Sequence, residues 1–530
     1  MTIHLGTGET QPLLRSLNNE GQQYTFPCAD SSNAALPPIN IDDDKTETVI
    51  VEFDPAGDAE NPLDWPRPFK WTVVGLLTMT AFTVTMACMS VVPLANDIVR
   101  DLSPPDSAPS KSASVLLVTI WELGEAAGPL LIAPLSEMYG RYPVMNGCNI
   151  LFIAATVFAA TSNSVSQFVL ARMLTGLVVA VNVLNPAIVG DLFISEQRGS
   201  AVSLIYLAPL TGGAIGPLIG SAIAQNYGWR TVIWMCAILA MTCEVLFLIC
   251  FRETYQVTIL RKRAKKMAEH AANSGKTFKT AFDVANEGCQ DNNVAPAGPW
   301  TRLRDAVQRP VQVLFGSGVL MAMSLFGSVV FAFFYVESTS LAGILQDVYG
   351  LSPVAVGSCY ASFTIGSICS VFICNHLLDR IYIRLRFTNK GVGQPEHRLP
   401  LAIVGSLTLP LAVAAFGWVP EFKAPLFVML LTVSFLGCTL MLAMIPVMTY
   451  IVDAFGLYSA SALTGVMVTR CLMGTFMPLT TAPLVDNFGY GWGFSVLAGV
   501  ALLMAPIPML MMRYGPRWRQ FSKFSREQQS

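Results

Sequence analysis

Apolar runs long enough to cross a hydrocarbon layer, each closed by a short polar turn, dominate this chain from residue 71 onward. A crossing helix needs roughly 20 predominantly apolar residues. Runs over about 71–95, 113–135, 144–162, 166–192, 200–224 and 231–251 predict six spans. A long polar stretch follows, and runs over about 311–336, 353–377, 399–418, 426–451, 459–484 and 492–512 predict six more. The predicted organisation is a polar tail (1–66), a six-helix half (67–251), a connector (252–310), a second six-helix half (311–513) and a short tail (514–530).

Composition agrees. Of 530 residues, 53% are hydrophobic and only 13% charged, against about 25% charged in a soluble domain. No apolar core with a small-residue cleavage site opens the chain, so no signal peptide is expected. Twelve acids against two bases, Arg15 and Lys45, make residues 1–66 a disordered tail by composition. Ten of the twelve cysteines lie in or beside apolar runs, and no Cys/His cluster has metal spacing, so neither disulfides nor a metal are expected.

Lys and Arg set the predicted orientation. The connector holds eleven, including Arg261, Lys262, Arg263, Lys265 and Lys266, whereas loops of the opposite parity hold few. Both termini and the connector are therefore expected on the cytoplasmic side. The basic block, beside a span, reads as a contact with anionic lipid, and no nucleic-acid partner is expected.

Several motifs carry chemistry. Pro134-Leu135-Ser136-Glu137-Met138-Tyr139-Gly140-Arg141-Tyr142-Pro143 is a charged turn between two apolar runs, with Gly140 free to take positive φ. It resembles the loop between spans 2 and 3 of major facilitator superfamily transporters. Arg172-Met173-Leu174-Thr175-Gly176 in span 4 matches that superfamily's arginine followed four residues later by glycine. An arginine inside a span is costly unless paired or hydrated, so Arg172 is a functional candidate; snorkelling to the surface is its structural alternative. In span 5, Gly212-Gly213-Ala214-Ile215-Gly216-Pro217-Leu218-Ile219-Gly220 resembles the signature of proton-driven exporters, with Ser221 where a further glycine is usual. Gly212, Gly216 and Gly220 form a flat stripe that another helix can approach, and Pro217 can bend the span. Asp191-Leu192-Phe193, Glu196 through Ala201 with Arg198, Gly228-Trp229-Arg230, Arg252-Glu253-Thr254-Tyr255, Pro395 through Pro400 and Asn61 through Trp65 resemble fungal twelve-span drug:proton antiporters. The resemblance runs from about residue 54 to the C-terminus. It implies an all-α integral membrane protein of two six-helix halves in the major facilitator fold. The internal repeat is weak, Leu378-Asp379-Arg380 only loosely echoing Leu135-Ser136-Glu137.

Span 2 adds Trp121-Glu122-Leu123-Gly124-Glu125 near its centre. Two carboxylates three positions apart share one helical face, which is what a proton-coupling group requires. A hydrogen-bonded structural pair is the alternative. The sequence thus nominates Glu122, Glu125 and Arg172 for proton coupling. Glu137, Gly140, Arg141, Asp191 and Arg198 are nominated as a conformational latch, and Trp121, Glu337 and Arg470 as cavity residues. Glu244 in span 6 is expected to reach water at the inner end of its helix, and Glu337 to stand at the outer end of span 7.

The expected function is export of small amphiphilic organic compounds against protons by alternating access, with no cofactor beyond the proton gradient. An importing symporter and a non-transporting sensor remain as alternatives. No nucleophile–base pair, phosphate loop or metal spacing suggests an enzyme. A monomer is expected. Glu9-Thr10-Gln11-Pro12-Leu13-Leu14 resembles an acidic dileucine sorting signal; the plasma membrane is the expected location and the vacuolar membrane the alternative.

Overall fold

The computed structural model describes residues 48–522 and 524–525, apart from 55–56, 105–109, 195–196, 271–276, 281–298 and 389–392. The sorting-signal candidate at 9–14, Cys28 and Cys289 lie outside the described residues.

Eleven stretches are long and apolar enough to cross a membrane, and the last of them, Ser459–Arg519, is 61 residues long. A single straight helix of that length would be roughly 90 Å long, three times the hydrocarbon thickness. Gly489, at φ 74°, turns the backbone inside it, so this stretch holds spans 11 and 12. The first ten spans are Arg67–Leu102, Lys111–Tyr139, Arg141–Ala160, Val165–Leu192, Ser200–Tyr227, Trp229–Cys250, Gly318–Asp347, Pro353–Thr388, Pro400–Glu421 and Leu426–Phe455. The protein is a multi-pass, all-α membrane protein. Large apolar side chains such as Ile249, Phe427 and Leu503 are exposed on its outside, as a lipid-facing surface requires.

Most predicted spans agree with the structure within a turn or two. Span 7 does not. The apolar run Val311–Phe315 belongs to a separate helix, Pro299–Phe315, and span 7 starts at Gly318, where the Ser317 hydroxyl accepts from the Leu320 amide and caps it. The connector therefore extends to about residue 317. Span 7 ends eleven residues later than predicted, at Asp347, which places Glu337 well inside the helix instead of at its outer end.

The described part of the N-terminal tail, from residue 48 on, is more structured than its composition predicts. Thr48–Val51 forms strand β1, paired in parallel with β2, Thr277–Thr280, from the connector. Val51, Phe53 and Phe278 pack on Leu260 and Ala264 of the connector helix Gln256–His270. Arg263 forms an ion pair with Asp58 at 2.5 Å. The Glu60 amide and then Arg263 hold Asp58 below the usual carboxylate range. The short apolar run Val49-Ile50-Val51 finds a helix to cover the Val51 face, and that burial offsets the acidic surroundings.

Close helix contacts rest on small residues. Gly212, Gly216 and Gly220 of span 5 face the span 1 backbone: added methyls would stand 2.9 Å from the Phe82 carbonyl, 3.0 Å from that of Met86 and 2.7 Å from that of Ser90. The predicted stripe therefore packs on span 1. Span 2 crosses the first part of span 4 just as closely, Gly124 and Gly128 facing backbone at Met173 and Leu177, and Gly176 facing the Trp121 carbonyl. This crossing holds the acidic segment of span 2 in place.

Candidate functional site

A cavity of about 260 Å³ lies between the two halves, walled by spans 1, 2, 4 and 5 on one side and spans 7, 8 and 10 on the other. Its polar edge is the span 2 pair. Glu122 is 2% exposed and accepts a 2.6 Å hydrogen bond from the Tyr335 hydroxyl of span 7. Its other oxygen has no partner among the described residues. Span 11 reaches the same carboxylate: a methyl on Gly474 would stand 3.6 Å from Glu122 Cγ. Glu125 accepts from Asn182 Nδ2 at 2.7 Å and from Trp121 Nε1 at 3.3 Å, both in its own half. It also stands 3.8 Å from the Arg470 guanidinium of span 11. Both acids thus touch groups of the opposite half.

Arg172 does not snorkel. It is 4% exposed, donates to the Ala87 and Cys88 carbonyls at 3.4 and 3.1 Å, and lies 4.6 Å from the Trp121 ring centroid. It therefore braces Trp121 from behind, and Trp121 in turn holds Glu125. Arg470 lies 4.7 Å from the centre of the Phe331 ring. Trp121 and Glu337 line the cavity, whereas Arg470 stands beside it, against Glu125 and Phe331.

The second cluster sits at the connector end of the first half. Arg141 reaches Asp191 at 3.4 Å, donates to the Ser136 hydroxyl at 2.6 Å and lies 4.8 Å from the centre of the Tyr255 ring. Thr254 donates to the same Asp191 oxygen at 3.2 Å. Glu253 gathers four backbone amides, those of Arg141 at 2.8 Å, Tyr142 at 3.3 Å, Thr254 at 3.1 Å and Tyr255 at 3.0 Å. It caps the start of span 3, where negative charge is favoured. Gly140, at φ 103°, must be glycine both for its backbone and because a side chain there would collide with the Glu253 carboxylate. Arg198 is tied to the Phe193 and Gly190 carbonyls at 2.7 and 2.8 Å, which fastens the turn between spans 4 and 5. Glu137 is exposed, outside the Arg141–Asp191 pair. Every member of the cluster belongs to the first half or the start of the connector. In this state it stiffens that half and does not bolt it to the other.

The second half repeats this device. Arg398, just before span 9, pairs with Asp379 in the last third of span 8 at 2.5 Å and with Asp453 at the end of span 10 at 3.0 Å. The buried Glu396 holds Arg519 at 2.8 Å. The repeat that is faint in sequence is plain in these pairs.

Sequence reasoning missed the roles of Tyr335, Asn182, Ser136 and Glu253. Arg252-Glu253-Thr254-Tyr255 was visible as a motif, but its function as a cap depends on a fold that brings residues 141 and 253 together. Glu244 does not reach water: it is 4% exposed and accepts from Asn149 at 2.7 Å, between spans 3 and 6.

Comparison with known proteins agrees with this architecture. The Major Facilitator Superfamily profile matches residues 73–478. The chain is 31% identical over 519 residues to the efflux pump radE of Floropilus chiversii, covering 96% of this chain and 93% of that protein. It is 31% identical over 493 residues to the MFS-type transporter penM of Penicillium rubens, covering 92% and 94%. Among solved structures, a D-xylose-proton symporter superposes with a TM-score of 0.60 at 18% identity, over 84% of this chain and 97% of the symporter. An inward-facing bacterial homologue of the human lysosomal transporter Spinster gives 0.59 at 14% identity, over 88% and 100%.

Proposed function

Because this chain belongs to the Major Facilitator Superfamily, and is therefore a membrane transporter, we propose that it exports small amphiphilic organic compounds in exchange for protons. The observation that carries this reading is the span 2 pair: two buried carboxylates at the cavity, each held by a group of the opposite half. A proton on Glu125 removes the attraction to Arg470, and a proton on Glu122 turns a charge-assisted bond from Tyr335 into an ordinary, weaker one. Protonation thus loosens the contact between halves where substrate enters, and the two ligands compete for one site. Arg172 and Trp121 hold Glu125 in register throughout.

Contacts at the face opposite the connector support an alternating cycle. Lys111 and Asp486 bridge the halves there at 2.5 Å, and Gly357 of span 8 packs on the Pro217 turn of span 5. Exposed ion pairs of this kind are weak, so such a seal opens readily. The efflux pump and transporter names of the relatives support the export direction. The Lys and Arg distribution supports a cytoplasmic connector and cytoplasmic termini, and export of amphiphiles suits the plasma membrane.

Uptake into inside-out vesicles tests the proposal. With an acidic lumen, amphiphilic substrate is expected to accumulate inside and to leak back when a protonophore collapses the gradient. Accumulation that ignores the gradient, or that requires an alkaline lumen, refutes proton-coupled export.

A further inference from the structure

Three carboxylates, Glu122, Glu125 and Glu337, face the cavity, with two guanidinium groups beside it, Arg172 and Arg470. Both arginines are committed. Arg172 is bound to span 1 carbonyls and Trp121, and Arg470 stands against Glu125 and Phe331. Glu337 is the acid in excess. It is 1% exposed, yet its Oε1 accepts no hydrogen bond, and among the described residues no basic side chain pairs with it. The Ser338 hydroxyl lies against its carboxylate, and the Tyr360 hydroxyl is committed to the Ser338 carbonyl at 2.7 Å. A carboxylate in a low-dielectric site needs a proton or a cation.

Its surroundings select which cation. Phe334, three residues before Glu337 and one turn away on the same helix, packs on Phe363 of span 8 at 5.2 Å between centroids and edge-on to Tyr335 at 5.0 Å. All four residues line the cavity. Aromatic faces attract an organic cation, most strongly where water is excluded. A metal ion would find one carboxylate and a few neutral hydroxyls among rings, too few charged ligands for a hard cation. At about 260 Å³ the space holds one small organic body.

We propose that Glu337 is the specificity subsite of the cavity and takes the ammonium group of a basic aromatic amphiphile, whose apolar body lies against Phe334 and Phe363. The ammonium donates to Oε1, the acceptor that the protein leaves unserved. This rests on the reading of the cavity as the substrate site and narrows the substrate class. Organic anions would meet an excess of negative charge there.

The test is a matched pair of probes, 2-(1-naphthyl)ethylamine and 2-(1-naphthyl)ethanol, which share an aromatic body and differ in charge at neutral pH. Each is titrated calorimetrically into the full chain in lipid nanodiscs. The wild type is expected to prefer the amine by about tenfold or more, as a desolvated cation–ring contact with an ion pair implies. Glu337→Gln is expected to bring the preference close to one while leaving alcohol affinity within about threefold; retained alcohol binding also shows that the variant is folded. Phe334→Leu is expected to cut the preference by about threefold. Equal binding of the two probes by the wild type, or an undiminished preference in Glu337→Gln, overturns the cation subsite and leaves the cavity reading intact. Binding of neither probe by the wild type overturns both.

Discussion

Gly140→Ala combined with Glu253→Ala gives a sharp test of the reasoning about the connector-end cluster. Gly140 has φ 103° and ψ 164°, a region closed to side chains, so alanine there costs about 1–3 kcal/mol in backbone strain. Its methyl would also stand 2.8 Å from Glu253 Cδ and closer still to Oε2, so the carboxylate must leave. With it go the hydrogen bonds to the amides of Arg141, Tyr142, Thr254 and Tyr255. Hydrogen bonds to a charged group are worth about 1.5–3 kcal/mol net. Gly140→Ala alone should therefore destabilise by roughly 2.5–6 kcal/mol, the sum of both effects. Glu253→Ala alone should cost about 1.5–3 kcal/mol. Once Glu253 is truncated nothing remains to be displaced, so adding Gly140→Ala should cost only the strain. The double mutant should be less destabilised than the sum of the singles by about 1.5–3 kcal/mol. Reversible unfolding of the four proteins in mixed micelles, titrated with SDS, measures this coupling. Additivity within about 0.5 kcal/mol would show that the two positions do not interact and would refute the assignment of Glu253 as the cap of span 3.

Three further outcomes are expected. Glu122→Gln with Glu125→Gln should insert and fold normally but lose proton-driven export; gradient-coupled transport at the wild-type rate in vesicles would remove both acids from the coupling mechanism. Gly216→Leu should reduce transport far more than a Gly499→Leu control, because a methyl at 216 already stands 3.0 Å from the Met86 carbonyl while the same group at 499, on the exposed face of span 12, meets nothing within 4 Å; equal activity in the two would show that the contact with span 1 is dispensable. Arg141→Asp should be inactive, and combining it with Asp191→Arg should restore part of the transport, since the two side chains approach to 3.4 Å; a swap no better than the single mutant would mean that the Ser136 and Tyr255 contacts of Arg141 matter more than its charge pair.

Much of the architecture is legible in the sequence, because hydropathy alone separates lipid from water and sets the span count. The start of span 7 is not, since Val311–Phe315 is as apolar as a span and only the Gly316-Ser317 break divides them. The acids of span 2 and the arginine of span 4 were visible because charge inside a span is rare. Their partners were not. Whether Glu122 meets Tyr335 or lipid depends on the rotation of two helices about their axes, which no periodicity in a nearly uniform apolar run reports. β1 was hidden for a different reason, its four residues lying in a tail whose acidity outweighs them in any window average.

The β1–β2 pair also has a consequence for the order in which the molecule is made. Thr48 leaves the ribosome before the first span, and its partner Thr277 follows 229 positions later (277 less 48). At about 5–20 residues per second that is a wait of roughly 10–45 s. During this time the strand has no mate, and all six spans of the first half must be threaded into the membrane. When β2 arrives, the pair ties together the two chain segments that flank that half, with Arg263 and Asp58 as its clasp. The N-terminal tail is thus fastened by the chain's own progress, and its fastening marks the moment at which the first half is complete and the second has yet to begin.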